Sequence, residues 1–230
     1  MMRRSILVVA AHPDDEVLGC GGTMAKHRAQ GDDVHVLIMA EGITARDQTR
    51  NREHRNQDLF ALNEMAQQVH TILNSTSCKL HDFPDNRMDS IDRLDVVKVI
   101  ENVIQQHKPD TIYTHHAGDV NIDHRRTHEA VITACRPQPG HCVKRLLFFE
   151  VPSSTEWQPP HSAAYFMPTW FVDISETLSK KLDALKSYDS EMRNFPHPRS
   201  YKAVEALAQW RGATAGFESA EGFVLGRCLA

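Results

Sequence analysis

SILVVAAHPDDEVLGCGG, Ser5 to Gly22, begins as an apolar run and breaks into a histidine, a proline and three acids ahead of a glycine cluster. The run over Ser5–Ala10 is the kind of strand that a parallel sheet buries on both faces. His12-Pro13-Asp14-Asp15-Glu16 therefore falls at the carboxyl end of a buried strand, where open parallel sheets bind their ligands. Acids this close repel one another, and a cation among them would offset the repulsion. Zinc accepts imidazole nitrogen and carboxylate oxygen, and catalytic zinc sites use three protein ligands. His12 and Asp15 can share one ion if the chain turns after Pro13. Asp14 then stays unligated and is free to take a proton from water. The plainer reading is a polar turn capping a helix, because acids favour helix N-termini.

Outward from this stretch, strands alternate with helices. Thr23–Gln30 reads as a helix, with Gly19-Cys20-Gly21-Gly22 as the loop before it. Val34–Met39 is a second strand and Val69–Leu73 a third, separated by a helix over Arg50–Gln68. Asp92–His107 has Leu94, Val97, Ile100 and Ile104 on one helical face, with Pro109 just beyond its end. Thr111–Thr114 and Leu146–Val151 are strands flanking a helix over His124–Cys135. After Pro152 the texture turns to loops and short strands. Helices over Glu176–Met192 and Tyr201–Trp210 follow, with a last strand over Ala220–Arg227. The rhythm predicts an α/β fold: a Rossmann-like, mostly parallel sheet with helices on both faces, plus C-terminal loops and helices. We read residues 1–230 as one domain, with Trp210, Phe217 and Phe223 in its core.

Composition narrows the function. The net charge of -4 supplies no basic footprint for nucleic acid. No segment approaches the ~18 apolar residues of a membrane span. MMRRSILVVAA imitates a signal peptide, but it runs into HPDDE and reads as a strand. The five cysteines form no CxxC pair, which argues against a disulfide framework or a cysteine zinc site and for a reducing, cytoplasmic location.

A third metal ligand must come from elsewhere. Asn121-Ile122-Asp123-His124 follows the strand over Thr111–Thr114, so its loop can meet the first. His124 is the candidate ligand, and Asp123 can hold a ring from behind. His115, His116 and His128 are rivals by composition.

AHPDDEVLGCGG together with NIDHRRTHEAV closely resembles the LmbE-like, or PIG-L, family of zinc-dependent N-deacetylases. The resemblance extends over most of the chain. It implies a carbon–nitrogen hydrolase that removes acetyl from an N-acetylated amino sugar or glycoconjugate. It also implies metal bound by His12, Asp15 and His124, with Asp14 as general base. Zinc is the expected ion, and iron(II) or another divalent transition metal suits the same ligands. Oligomers are frequent in the family, which makes a homo-oligomer an expectation. One position departs: the family often has histidine where this chain has Asn121, with a role in stabilising the oxyanion. An amide can donate a hydrogen bond there but carries no charge, and such donors are worth ~3 kcal/mol of barrier.

Arg46, Arg87 and Trp157 are candidate substrate contacts, each set against a bland role in a solvated loop or in packing. The glycines Gly19, Gly21 and Gly22 lack the full dinucleotide fingerprint, so a tight turn is the better reading. Two rival functions stand beside the hydrolase. A signalling receiver also places acids after its first strand, but no phosphoacceptor Asp follows Val69–Leu73. A catalytically weak or dead metal-binding homologue is favoured only by Asn121.

Overall fold

A computed structural model describes residues 3–230. Its strands are β1 (Ser5–Ala10), β2 (Asp33–Ala40), β3 (Ser77–Phe83), β4 (Thr111–His115), β5 (Arg145–Phe149), β6 (Trp170–Asp173) and β7 (Ala220–Cys228). Its helices are α1 (Asp15–Ala29), α2 (Asn56–Ile72), α3 (Arg93–His107), α4 (Ile122–Ala134), α5 (Leu178–Ser187) and α6 (Tyr201–Ala215). The strands form one sheet in the order β3-β2-β1-β4-β5-β7-β6. The first five pair in parallel, and β7 runs antiparallel to both β5 and β6. The α/β expectation therefore holds, with a mixed far edge.

Alternation along the strands divides the core between two faces. Ile6, Val8, Val36 and Ile38 belong to one buried cluster, with Met24 of α1, Leu62 of α2 and Leu185 of α5. Leu7, Val9, Leu37 and Met39 belong to the other, with Ile100 of α3 and Val131 of α4. Strand order reverses between β1 and β4. The loops after these two strands thus leave the sheet in a shared crevice.

Three expectations are corrected. Val69–Leu73 is not a strand: α2 runs on to Ile72 because Leu62, Ala66 and Val69 extend its buried stripe, and β3 starts at Ser77. Trp210 and Phe217 are exposed; of that trio only Phe223 is buried. Gly19–Gly22 is not a loop but lies inside α1, where Cys20 alone leaves helical geometry at φ -150°.

That break makes α1 two helical pieces, and a buried ion pair fills the gap. Lys181 Nζ donates to the Leu18 carbonyl at 2.8 Å and to Glu221 Oε1 at 2.6 Å. Glu221 accepts from the backbone N–H groups of Gly22 and Thr23. A cation thus meets the carbonyl end of the first piece and a carboxylate the amide end of the second, as the helix dipoles favour. The glycines permit close packing here. A Cβ on Gly19 would overlap the Phe149 ring, and one on Gly22 would lie 2.8 Å from Ile174 Cδ1. Gly19→Ala should cost about 1–3 kcal/mol in a urea unfolding titration through overpacking. An unchanged midpoint would show that the Phe149 ring yields freely.

Among the described residues all five cysteines are free. Among the same residues no helix is long and apolar enough to cross a membrane.

Candidate active site

The end of β1 is pinned across the sheet: Ala11 N–H donates to His115 Nε2 at 2.8 Å. The chain then turns through Pro13 into the first turn of α1. Asp14 sits at the helix N-cap with φ 111°, a left-handed value that a non-glycine residue adopts only at a cost. Glu16 holds it there, accepting the Asp14 N–H through Oε2 at 3.0 Å.

Asp15 and two imidazoles converge. Asp15 Oδ2 lies 3.2 Å from His12 Nδ1 and 3.1 Å from His124 Nε2. These three residues offer ligand atoms that all lie within 4.8 Å of one another. The far nitrogen of each ring meets a buried carboxylate: His12 Nε2 faces Asp123 at 3.0 Å, and His124 Nδ1 faces Asp119 at 3.1 Å. Rings held from behind in this way present a fixed nitrogen forward, an arrangement typical of metal-ligating histidines. Two nitrogens and one carboxylate oxygen are a donor set that suits zinc or another divalent transition ion.

Each rival histidine has one ring nitrogen engaged elsewhere, and none joins the converging cluster. His115 Nε2 is taken by Ala11, His116 Nε2 meets the Ala164 carbonyl, and His128 Nδ1 meets the His115 carbonyl.

Electrostatics follow from burial among carboxylates. Burial opposes charge on His12, but hydrogen bonds to Asp123 and Asp15 outweigh it and hold its pKa well above the usual value. Burial likewise opposes charge on His124, yet Asp15 and Asp119 raise its pKa to about 9. Burial, reinforced by Asp15, pushes Asp14 up to about 7 against the pull of Arg199. Burial, then Asp14, takes Glu16 to about 8. A metal ligates only neutral imidazole. Metal binding near pH 7 should therefore release protons, and affinity should rise as pH climbs from 7 toward the His124 pKa of about 9. Calorimetry in buffers of different ionisation heat measures the release; equal affinity at both ends of that range would refute it.

The remaining candidates separate. Asn121 caps α4: its Oδ1 accepts the Asp123 N–H at 2.8 Å, and its Nδ2 donates to Asn86 Oδ1 at 3.0 Å. Asn121 lines the same cavity as the converging ligands. So does Arg46, which pairs with Glu191 at 2.7 Å. Arg87 lies outside that lining and donates to the Gln48 carbonyl, bracing a loop. Trp157 also lies outside it, half exposed, with its ring edge-on to His197.

Sequence reasoning missed two residues. Asp119, fully buried, accepts from Ser154, Thr155 and the Asn121 N–H besides facing His124. Its position five residues ahead of a candidate ligand was the available signal. Arg199 pairs with Asp14 at 2.9 Å from 185 residues away, and nothing local in the sequence announces it.

The cavity above these groups measures about 300 Å³ and includes His12, Asp14, Asp15, Asn121, His124 and Arg199 in its wall. The PIG-L family, described as GlcNAc-PI de-N-acetylase, matches residues 7–135, a span that carries both motif blocks. This chain belongs to the PIG-L family.

Among PIG-L relatives, the uncharacterized deacetylase YaiS of Escherichia coli K12 is 28% identical over 194 residues, covering 82% of this chain and 92% of YaiS. The diacetylchitobiose deacetylase of Thermococcus kodakarensis is 26% identical over 240 residues, covering 95% of this chain and 82% of that protein. The fold is shared with GalB, the 4-carboxy-2-hydroxymuconate hydratase of Pseudomonas putida KT2440. That comparison gives a TM-score of 0.77 at 24% identity, over 100% of this chain and 98% of GalB. Proteins named for two different reactions thus share this fold, so the fold alone does not fix the reaction.

Proposed function

We propose that this protein is a metal-dependent N-deacetylase of a small N-acetylated sugar or glycoconjugate. One observation carries the reading: three ligand atoms converge while a fourth group, Asp14, faces the same cavity without joining them. A purely structural metal site has no use for an acid held in strained backbone beside it.

His12, Asp15 and His124 would hold the ion, which supplies Lewis-acid polarisation of a carbonyl and acidification of water when bound. Asp14 takes the proton of the attacking water and returns it to the departing amine nitrogen. Burial raises its pKa from the ordinary carboxylate value, the direction that a group returning a proton to the amine needs. Asp123 and Asp119 keep the two imidazoles in one tautomer and orientation. The Asn121 amide is at hand for the oxyanion, though its tie to Asn86 and its cap on α4 fix where it points. The products are acetate and the free amine.

The cavity also supports a sugar. Its volume of about 300 Å³ is at the small end for ligand sites. Pro13, Ala45 and Val151 are the main apolar contributors, and charged or amide side chains supply most of the rest. A hydroxyl-rich ring suits this wall better than a lipid or an aromatic plane.

Water could instead add to a carbon–carbon double bond, the reaction class in the hydratase's name. The amide reading is favoured by the family description and by the deacetylase names of the relatives that match over most of this chain. The deciding experiment incubates zinc-loaded protein with N-acetylglucosamine, N,N'-diacetylchitobiose, N-acetylglucosaminyl malate and N-acetylglucosaminyl inositol, and measures released acetate. Acetate from at least one is expected. Acetate from none would overturn the reading, and water added to an unsaturated dicarboxylate would put the hydratase reaction in its place.

A further inference from the structure

We infer that Arg199 is the positioning residue that aims the Asp14 carboxylate. The inference rests on the reading of Asp14 as the proton-transferring group, and it deepens that reading. Arg199 Nη1 donates to Asp14 Oδ2 at 2.9 Å. Among the described residues, no other lysine or arginine pairs with Asp14, and no group donates to its Oδ1. A carboxylate can rotate about its Cβ–Cγ bond. With Oδ2 tied to a guanidinium and the backbone N–H tied to Glu16, that rotation is arrested and Oδ1 is the oxygen left for a water. Oδ1 thereby acquires a direction that sequence proximity to Asp15 does not supply.

The arginine is itself built in. Its backbone N–H donates to His197 Nδ1 at 3.1 Å, and its carbonyl accepts from the Arg193 N–H at 3.1 Å. The segment that carries it is tied down at two more points: Glu191 pairs with Arg46, and the Tyr188 hydroxyl donates to Glu16 Oε1. Tyr188 and Arg199 therefore reach the two acids on either side of Asp15 from one stretch of chain. That stretch lies wholly beyond residue 135, where the family match ends. The motif supplies the acid, and a distant, separately anchored segment aims it.

The test uses the full-length zinc-loaded protein and the member of the acetylated-sugar panel that it hydrolyses fastest. Arg199→Met should lower kcat about 10- to 100-fold, the size expected for a misaimed group, with KM changed less than about threefold. Zinc content should stay the same, and Arg199→Lys should recover part of the loss. The decisive comparison is the double variant. If Arg199 acts only through Asp14, then Asp14→Asn with Arg199→Met should be no slower than Asp14→Asn alone. Losses that multiply would make Arg199 an independent substrate contact and overturn the inference, as would a kcat unchanged in Arg199→Met. If Arg199→Met does not fold, Arg199→Lys carries the same comparison. An Asp14→Asn variant with full activity would instead sink the reading of the site itself, and acetate from no panel member would do the same.

Discussion

Asp14→Asn should reduce turnover by about 10²–10⁴-fold while the protein keeps its full complement of metal. The substitution is close to isosteric. Asparagine tolerates left-handed backbone better than most residues, so φ 111° at this position is retained. What is lost is the ability to accept a proton and give it back. His12, Asp15 and His124 are untouched, so metal content measured by atomic emission should match the wild type. His124→Ala is the contrasting case: it removes one of the three converging ligand atoms, and metal and activity should fall together. Retained turnover in Asp14→Asn would assign proton transfer elsewhere. Lost metal in the same variant would make Asp14 a ligand.

Glu221→Ala should destabilise the protein by about 3–5 kcal/mol, the usual cost of removing one partner from a buried ion pair. Lys181 and Glu221 have only 5% and 4% of their side-chain surface exposed. Without Glu221, a buried ammonium loses its counter-charge, and the Gly22 and Thr23 amides lose their acceptors. Lys181→Met combined with Glu221→Leu should recover part of the loss, because no unpaired charge then remains. Urea unfolding measures both. A double variant that is the sum of two large single losses would mean that the pair holds the two pieces of α1 independently, not as a unit.

The convergence of His12, Asp15 and His124 was legible because these residues fall in two short blocks. HPDDE begins one residue beyond β1, and NIDH follows β4 after a five-residue connection; strand ends are where a parallel sheet gathers its chemistry. β1 and β2 announced themselves as apolar runs because a parallel sheet buries both of their faces. Val69–Leu73 misled because a short run with Val, Ile and Leu fits a strand as well as the last turn of a buried helix. Only the continuation of the Leu62–Ala66–Val69 stripe separates the two. The glycine cluster misled because the groups that let a helix pass through it, Lys181 and Glu221, lie more than 150 residues away. Arg199 was missed for the same reason as that ion pair: it acts on a partner that the chain brings near only when the sheet is assembled. Asp119 had only its spacing from His124 to announce it.

The strand order carries one more consequence, for synthesis. β6 leaves the ribosome about fifty residues before β7, yet β7 is the neighbour that joins it to the sheet. Until that late ribbon slides in beside β5, the earlier one has no backbone partner, and the α1 break has no carboxylate to seal it. A nascent chain can thus assemble the crevice that would hold the ion while its far border is still open. Translation stalling before residue 220 should leave a particle with a protease-sensitive flank and a nearly complete ligand cluster.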